Sequence, residues 1–185
     1  MNALKLLPGM ACNSVEFFLH ETEMKAIQHG KVIDFTELPF ATIEIMREEI
    51  KKNKEVNLAL HDMQPYSSIK RIEQFAKCRF GGLDFQGDIK NNQLQDGEYW
   101  DCPLHGNCPH EGVLCKLPVY NGQRLNKQDV QLLKLISSNK TNDFVADEMH
   151  IPLGTFHQAK KNLYDKLNIQ TKQEAAVIAM SLNIL

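Results

Sequence analysis

Between Cys78 and Pro118 the chain loses all sustained hydrophobic period. This stretch, CRFGGLDFQGDIKNNQLQDGEYWDCPLHGNCPHEGVLCKLP, holds six of the ten glycines, four of the five cysteines and the single tryptophan, Trp100. Irregular segments beyond roughly 12–15 residues are uncommon inside compact domains unless something holds them. Any fold for this chain must therefore supply a staple for about forty residues, and clustered thiols are the staple at hand.

Four thiolates complete a closed tetrahedral zinc site. Cys102, Cys108 and Cys115 are separated by five and six residues, and Pro103, Gly106, Pro109 and Gly112 supply turns between them. Cys78 lies at the end of a predicted helix and provides the distant fourth ligand. The ligand set is thus Cys78, Cys102, Cys108 and Cys115, with His105 and His110 able to replace a cysteine. The spacing is not that of a zinc knuckle. Structural zinc is the expected cofactor, and an iron–sulfur cluster, which also takes four cysteines, is the alternative. Buried cysteines packing as small hydrophobes are the plain alternative to both. Cys12 stands apart and is assigned packing.

The redox setting favours metal over disulfides. No apolar run approaches the ~18–20 residues that span a bilayer. The N-terminus has one lysine and a short apolar patch broken by Asn13, Ser14 and Glu16, unlike a signal peptide. A cytoplasmic protein with reduced thiols and no membrane contact is expected. No phosphate loop, dinucleotide fingerprint or nucleophile elbow occurs, so no catalytic residue is assigned and no enzyme is expected. Asp84 and Asp88, which follow Gly81-Gly82, read as turn aspartates.

The stretch before the cysteines reads as helical. Val15, Phe18, Leu19 and Ile27 space a segment that Gly30 ends. Thr36 is a candidate cap for a helix to Asn53, in which Ile43, Met46 and Ile50 form one apolar face. A short helix over Asn57–Met63 and another over Tyr66–Lys77 follow. Strand–helix alternation of a receiver domain is absent, so this region is expected to dimerise, sense a signal or dock on RNA polymerase.

From Leu125 to Leu185 helical period returns in four pieces. Asn126 caps the first helix, with Asp129 in its opening turn. Val130, Leu133 and Ile136 form its apolar row, and Asn139 is a candidate left-handed residue beyond its end. Thr141 caps a short second helix. After His150-Ile151-Pro152 a third runs to Leu167, with Phe156, Ala159, Leu163 and Leu167 on one face and His157, Gln158, Lys160, Lys161 and Asp165 on the other. Thr171 and Glu174 have capping-box spacing for a fourth. A short helix, a tight turn and a longer helix with a polar, basic face make a helix-turn-helix. The net charge of −2 gives no global attraction to nucleic acid, but the third helix is locally basic.

This last third resembles the LuxR/GerE-type DNA-binding domain. The resemblance rests on Leu132-Leu133, Leu135-Ile136, Thr141-Asn142, Val145-Ala146, Met149, Ile151, Gly154-Thr155, Asn162-Leu163-Tyr164, Lys166-Leu167-Asn168-Ile169 and Glu174-Ala175-Ala176, in one ungapped register from Leu132 to Ile169. It implies double-stranded DNA as the partner and a homodimer on paired half-sites. It also implies Thr155 against a phosphate, His157, Gln158 and Lys161 toward the groove, and Lys160 or Lys166 against backbone. Asn139, Pro152 and the run from Phe156 to Ala159 depart from the family pattern, on the turn that sets base preference.

The expected fold is mainly α, in three parts. These are a helical region over 1–77, an irregular metal-clamped module over 78–120 and a four-helix DNA-binding domain over 121–185. The expected function is sequence-specific DNA binding in transcription control with a structural zinc site. A metal or redox sensor acting through the same domain is the alternative, as is a protein-interaction module without DNA binding.

Overall fold

Residues 16–34 alternate rather than spiral. Phe17 and Leu19 point to one side of a first strand, and Met24 and Ala26 face them from a second. The computed structural model describes residues 6–185 of the chain, and here it shows an antiparallel meander. Its strands are β1 (Glu16–His20), β2 (Glu23–Gln28) and β3 (Lys31–Asp34). The expectation of a mainly α fold, with a helix over Val15–Gln28, is thus overturned. Three small antiparallel sheets stand beside seven helices among the described residues, and about 44% of the chain is helical, so the fold is mixed. The physical reason lies in the turns. His29 and Gly30 both take positive φ (52° and 75°), as a two-residue hairpin requires, so Gly30 reverses a strand instead of ending a helix.

The chain divides into two units, Met1–Lys116 and Leu117–Leu185. In the first, α1 (Phe40–Lys52) and α2 (Lys54–Met63) pack against each other and against α3 (Ser68–Arg79), which packs on β1 and β2 of the meander. Thr36 does not cap α1. It lies in a short 3-10 helix closed by Glu37 accepting from the Asp34 amide at 3.0 Å, and α1 begins after Pro39. Ile43, Met46 and Ile50 are buried as their spacing requires. Asn53 caps α2, and Ser67 caps α3.

After α3 the chain stays within this unit. Phe80 is buried against Phe17 and Phe75, with ring centroids 6.1 and 6.3 Å apart. The Leu19 amide donates to the Gly81 carbonyl, and Val15 bridges Ile89, so the returning chain covers the free edge of β1. A two-residue hairpin on Asn91-Asn92, both at positive φ, joins β4 (Ile89–Lys90) to β5 (Gln93–Leu94). The loop then runs to Leu114, which is 1% exposed in the same apolar core.

In the second unit β6 (Val119–Tyr120) and β7 (Gln123–Arg124) form a hairpin on Asn121-Gly122. Four helices follow: α4 (Lys127–Ile136), α5 (Asn142–Glu148), α6 (Leu153–Leu167) and α7 (Lys172–Ser181). Asn126 with Asp129 and Thr171 with Glu174 form capping boxes, and Thr141 accepts from the Phe144 amide. Each such cap is worth about 1 kcal/mol. Asn139 is not left-handed. The left-handed residues that end helices here are His150, Asn168 and Asn183. No helix among the described residues is long and apolar enough to cross a membrane. The signal-peptide reading falls partly on residues 1–5, outside the described residues.

Three carboxyls are locked inside the first unit. The Glu16 side chain is fully buried and accepts from the Asp84 amide at 2.9 Å, and Asp88 accepts from the Phe17 amide at 2.7 Å. Glu98 accepts from the Gly82 amide at 3.1 Å. Burial raises Glu16 and Glu98 to about 8 and Asp88 to about 10, with neighbouring carboxylates adding to each rise. Asp88 is thus a buried anchor for β1, not a turn aspartate. The folded state holds protons that the unfolded chain releases near its ordinary carboxyl values. Stability is therefore complete below about pH 4 and falls as pH rises through 8 toward 10. Thermal melts between pH 5 and pH 9 should show this decline. Glu16→Gln should flatten it, gaining at least about 1 kcal/mol at pH 8 and little at pH 5.

Candidate functional site

The second unit presents one continuous polar stripe. The turn between α5 and α6 is fixed by His150 at φ 55° and by the Ile151 amide donating back to the Ala146 carbonyl at 3.0 Å. This sets α6 across α5, with Phe156, Leu163 and Leu167 buried beneath it. Opposite that apolar row, Gly154, Gln158, Lys161 and Asp165 follow one another at helical spacing and are all exposed. Thr155 and Asn162 flank the stripe on one side, His157 and Lys160 on the other. α6 has no side-chain cap, because Pro152 occupies the N-cap.

The residues expected at a nucleic-acid surface sit differently from one another. Gln158 donates to Asn162 Oδ1 at 2.8 Å, which holds both amides on the outer face. Asn162 carries the resemblance but is not among the residues expected at the DNA surface, although its i+4 spacing from Gln158 is a signal for it. Lys161 is exposed and has no ion-pair partner among the described residues. Lys160 lies over the Tyr164 ring at 5.3 Å and reaches Asn142 Oδ1 at 3.5 Å. His157 is exposed and packs edge-on against Phe156. Lys166 is turned inward, and its ammonium pairs with Asp129 at 2.7 Å, which ties α6 to the capping box of α4.

The cysteines of the first unit surround one cavity. Cys78 stands on the last turn of α3, and Cys102, Cys108 and Cys115 stand on the loop, with all four lining a cavity of about 90 Å³. The loop is a run of tight turns. Its returns include Cys108 N to Leu104 O and Leu114 N to His110 O, and Gly106 and Gly112 take φ of 87° and 83° between the cysteines. Both values are ones that side-chain-bearing residues resist. The loop's far end is fastened to α3, where Arg79 donates through Nε to the Leu114 carbonyl and through Nη2 to Val113. Burial pushes the Cys78 thiol up to about 11 and also raises Cys115.

The cysteines are free thiols, and among the described residues no three Cys, His, Asp or Glu side chains are placed to hold a metal ion. Both histidines have protein partners. His105 Nε2 bonds the Trp100 carbonyl at 2.9 Å, its Nδ1 faces Glu111 at 3.5 Å, and its ring stacks on Tyr99. His110 Nε2 bonds Asp62 at 2.8 Å. Cys12 lies away from the cavity and is exposed.

Residues 123–179 match the family model for bacterial regulatory proteins of the luxR family (GerE). This segment carries a LuxR-type helix-turn-helix, which supports a DNA-binding transcription regulator. The match covers less than a third of the chain, and the residues before it are matched by no family. No curated protein and no solved structure matches the chain.

The inward turn of Lys166 has a measurable consequence. Lys166→Met should lower the melting temperature of the second unit by several degrees, in keeping with a partly buried pair worth about 1 kcal/mol. It should leave the salt dependence of DNA binding unchanged. A flatter salt dependence would mean that Lys166 leaves Asp129 for a phosphate.

Proposed function

We propose that the chain is a sequence-specific DNA-binding transcription regulator whose α6 enters the major groove. The observation that carries this reading is the luxR-family match over a helix whose exposed stripe is polar and basic. Gln158 and His157 are suited to base edges, since an amide can pair two-pronged with adenine. Lys160 and Lys161 neutralise phosphates on either side. Thr155, in the uncapped first turn of α6, offers its hydroxyl and nearby free amides to a third phosphate.

The active species is a homodimer. α7 leaves Val177 and Met180, three residues apart, 66% and 67% exposed, which is an apolar strip open to a second copy. In the first unit, Cys78, Cys102, Cys108 and Cys115 hold a metal centre that fastens the loop to α3. The support for this is that four cysteines scattered over 38 positions of sequence all line one cavity. Structural zinc and an iron–sulfur cluster both take four thiolates, and the second would make the protein a metal or redox sensor acting through the same helices.

The test begins with selection of bound duplexes from a random pool. On the selected site, the slope of log K against log salt should fall by about 0.9 for each phosphate that is no longer neutralised, hence by roughly 2 in Lys160→Ala/Lys161→Ala. Gln158→Ala should leave that slope alone and relax preference at one base pair by about 1–3 kcal/mol. Unchanged binding in both variants would mean that α6 does not face DNA.

A further inference from the structure

All four thiols line one chamber. The cavity they line, about 90 Å³, is several times the ~10–15 Å³ that admits a single water. A zinc ion sits about 2.3 Å from each of four thiolates, which draws them into a tight tetrahedron. The described residues contain no group of three donors so placed, and both neighbouring histidines have protein partners. The remaining walls combine the apolar Met63, Trp100, Leu104 and Leu114 with Gln74, Lys77 and Glu111. Four cysteines around a chamber several atoms wide suit an iron–sulfur cluster, which takes four thiolate ligands.

A second observation points to sulfur. N–H groups already turn to the thiols. Gln74 Nε2 donates to Cys78 Sγ at 3.2 Å, and the Gly112 amide donates to Cys115 Sγ at 3.3 Å. Trp100 lines the same chamber and is only 8% exposed, yet its indole N–H has no partner among the described residues. A buried donor left unpaired costs about 1–3 kcal/mol, so its retention calls for an acceptor. The indole is pressed against Gly81, where any side chain would collide with its ring. Hydrogen bonds to cluster sulfurs are one of the means by which a protein sets a cluster's reduction potential.

We propose that the first unit binds an iron–sulfur cluster on Cys78, Cys102, Cys108 and Cys115, with the Trp100 indole donating to one of its sulfurs. The proposal rests on the metal-centre reading given above and names the occupant of that site. Trp100 is a tuning residue here, not a ligand.

The test uses the full chain purified without oxygen, then treated with ferrous iron and sulfide and desalted. Iron and acid-labile sulfide should be retained in equal amounts, with broad visible absorption that bleaches on reduction. Serine at Cys78, Cys102, Cys108 or Cys115 should abolish the retained sulfide, whereas Cys12→Ser should keep it. Trp100→Phe should retain the cluster but shift its midpoint potential to a more negative value, because a donor that favours the reduced form is gone. An unchanged potential would overturn the part assigned to the indole. One zinc per chain with no sulfide would overturn the cluster while leaving a metal centre in place. Failure of a chain with native circular dichroism to retain any metal would overturn both. DNA binding by the same preparations is titrated separately, so a fault in the α6 reading cannot be mistaken for a fault in the cluster.

Discussion

The first unit depends on a return. Its chain leaves α3 at Arg79, runs through some thirty residues with little regular structure, and comes back to the same helix end. Arg79 closes that circuit by donating to the carbonyls of Leu114 and Val113. The burial of Phe80 at one end of the excursion and Leu114 at the other makes the closure apolar as well as polar. The loop is fixed at both ends against one helix, and its three cysteines line one cavity with the fourth. The Arg79 guanidinium is itself partly desolvated, which lowers its pKa, so its hydrogen bonds to the two carbonyls are stronger than they would be in water.

The same economy of anchors explains the buried carboxyls. Glu16 and Asp88 accept backbone amides from segments far apart in sequence, joining β1 to the chain that passes along its edge. A carboxyl in this position serves as a hydrogen-bonding post and not as a charge. Desolvation keeps it protonated over much of the ordinary pH range. One oxygen of Glu16 has no partner among the described residues, so the post is kept at a cost in stability. The gain is register. With Phe17 and Asp84 each tied to a carboxyl, β1 cannot slip by one residue and turn Phe17 out of the core.

The legibility of the two units in sequence differs for the same physical reasons. In the second, information is local. Asn126, Thr141 and Thr171 satisfy amides two or three residues away, and the apolar rows of α4, α6 and α7 step at helical period. Caps and periods of this kind can be read without knowing the fold. In the first, information is distant. The strands carry Glu16, Glu23, Lys25 and Lys31, and only the hairpin turns betray them. His29-Gly30 and Asn91-Asn92 both take positive φ at two successive residues, as two-residue hairpins require. The cysteines were legible as a group, but the chamber they share was not. Neither was the pairing of His105 and His110 with protein partners, since these depend on where Arg79 brings the loop home.

The size of the chamber and the character of α6 bear on each other through affinity. α6 offers two lysines without buried ion partners and few amides for bases, so one copy reaches a small number of phosphates. Each phosphate neutralised contributes through counterion release, and a small number means weak binding at physiological salt. Joining two copies makes the second binding event intramolecular, and affinity then rises steeply without any new side chain. On the proposed homodimer reading, a regulator with so modest a reading surface is sensitive to whatever sets the population of that dimer. A coupling free energy of about 1–3 kcal/mol between a bound cofactor and dimerisation is enough to change occupancy roughly 5–150-fold. In the reading proposed above, the exposed strip on α7 joins the two copies, and a cofactor held by the four cysteines biases that equilibrium. This makes the cofactor's identity a question about regulation as well as about stability.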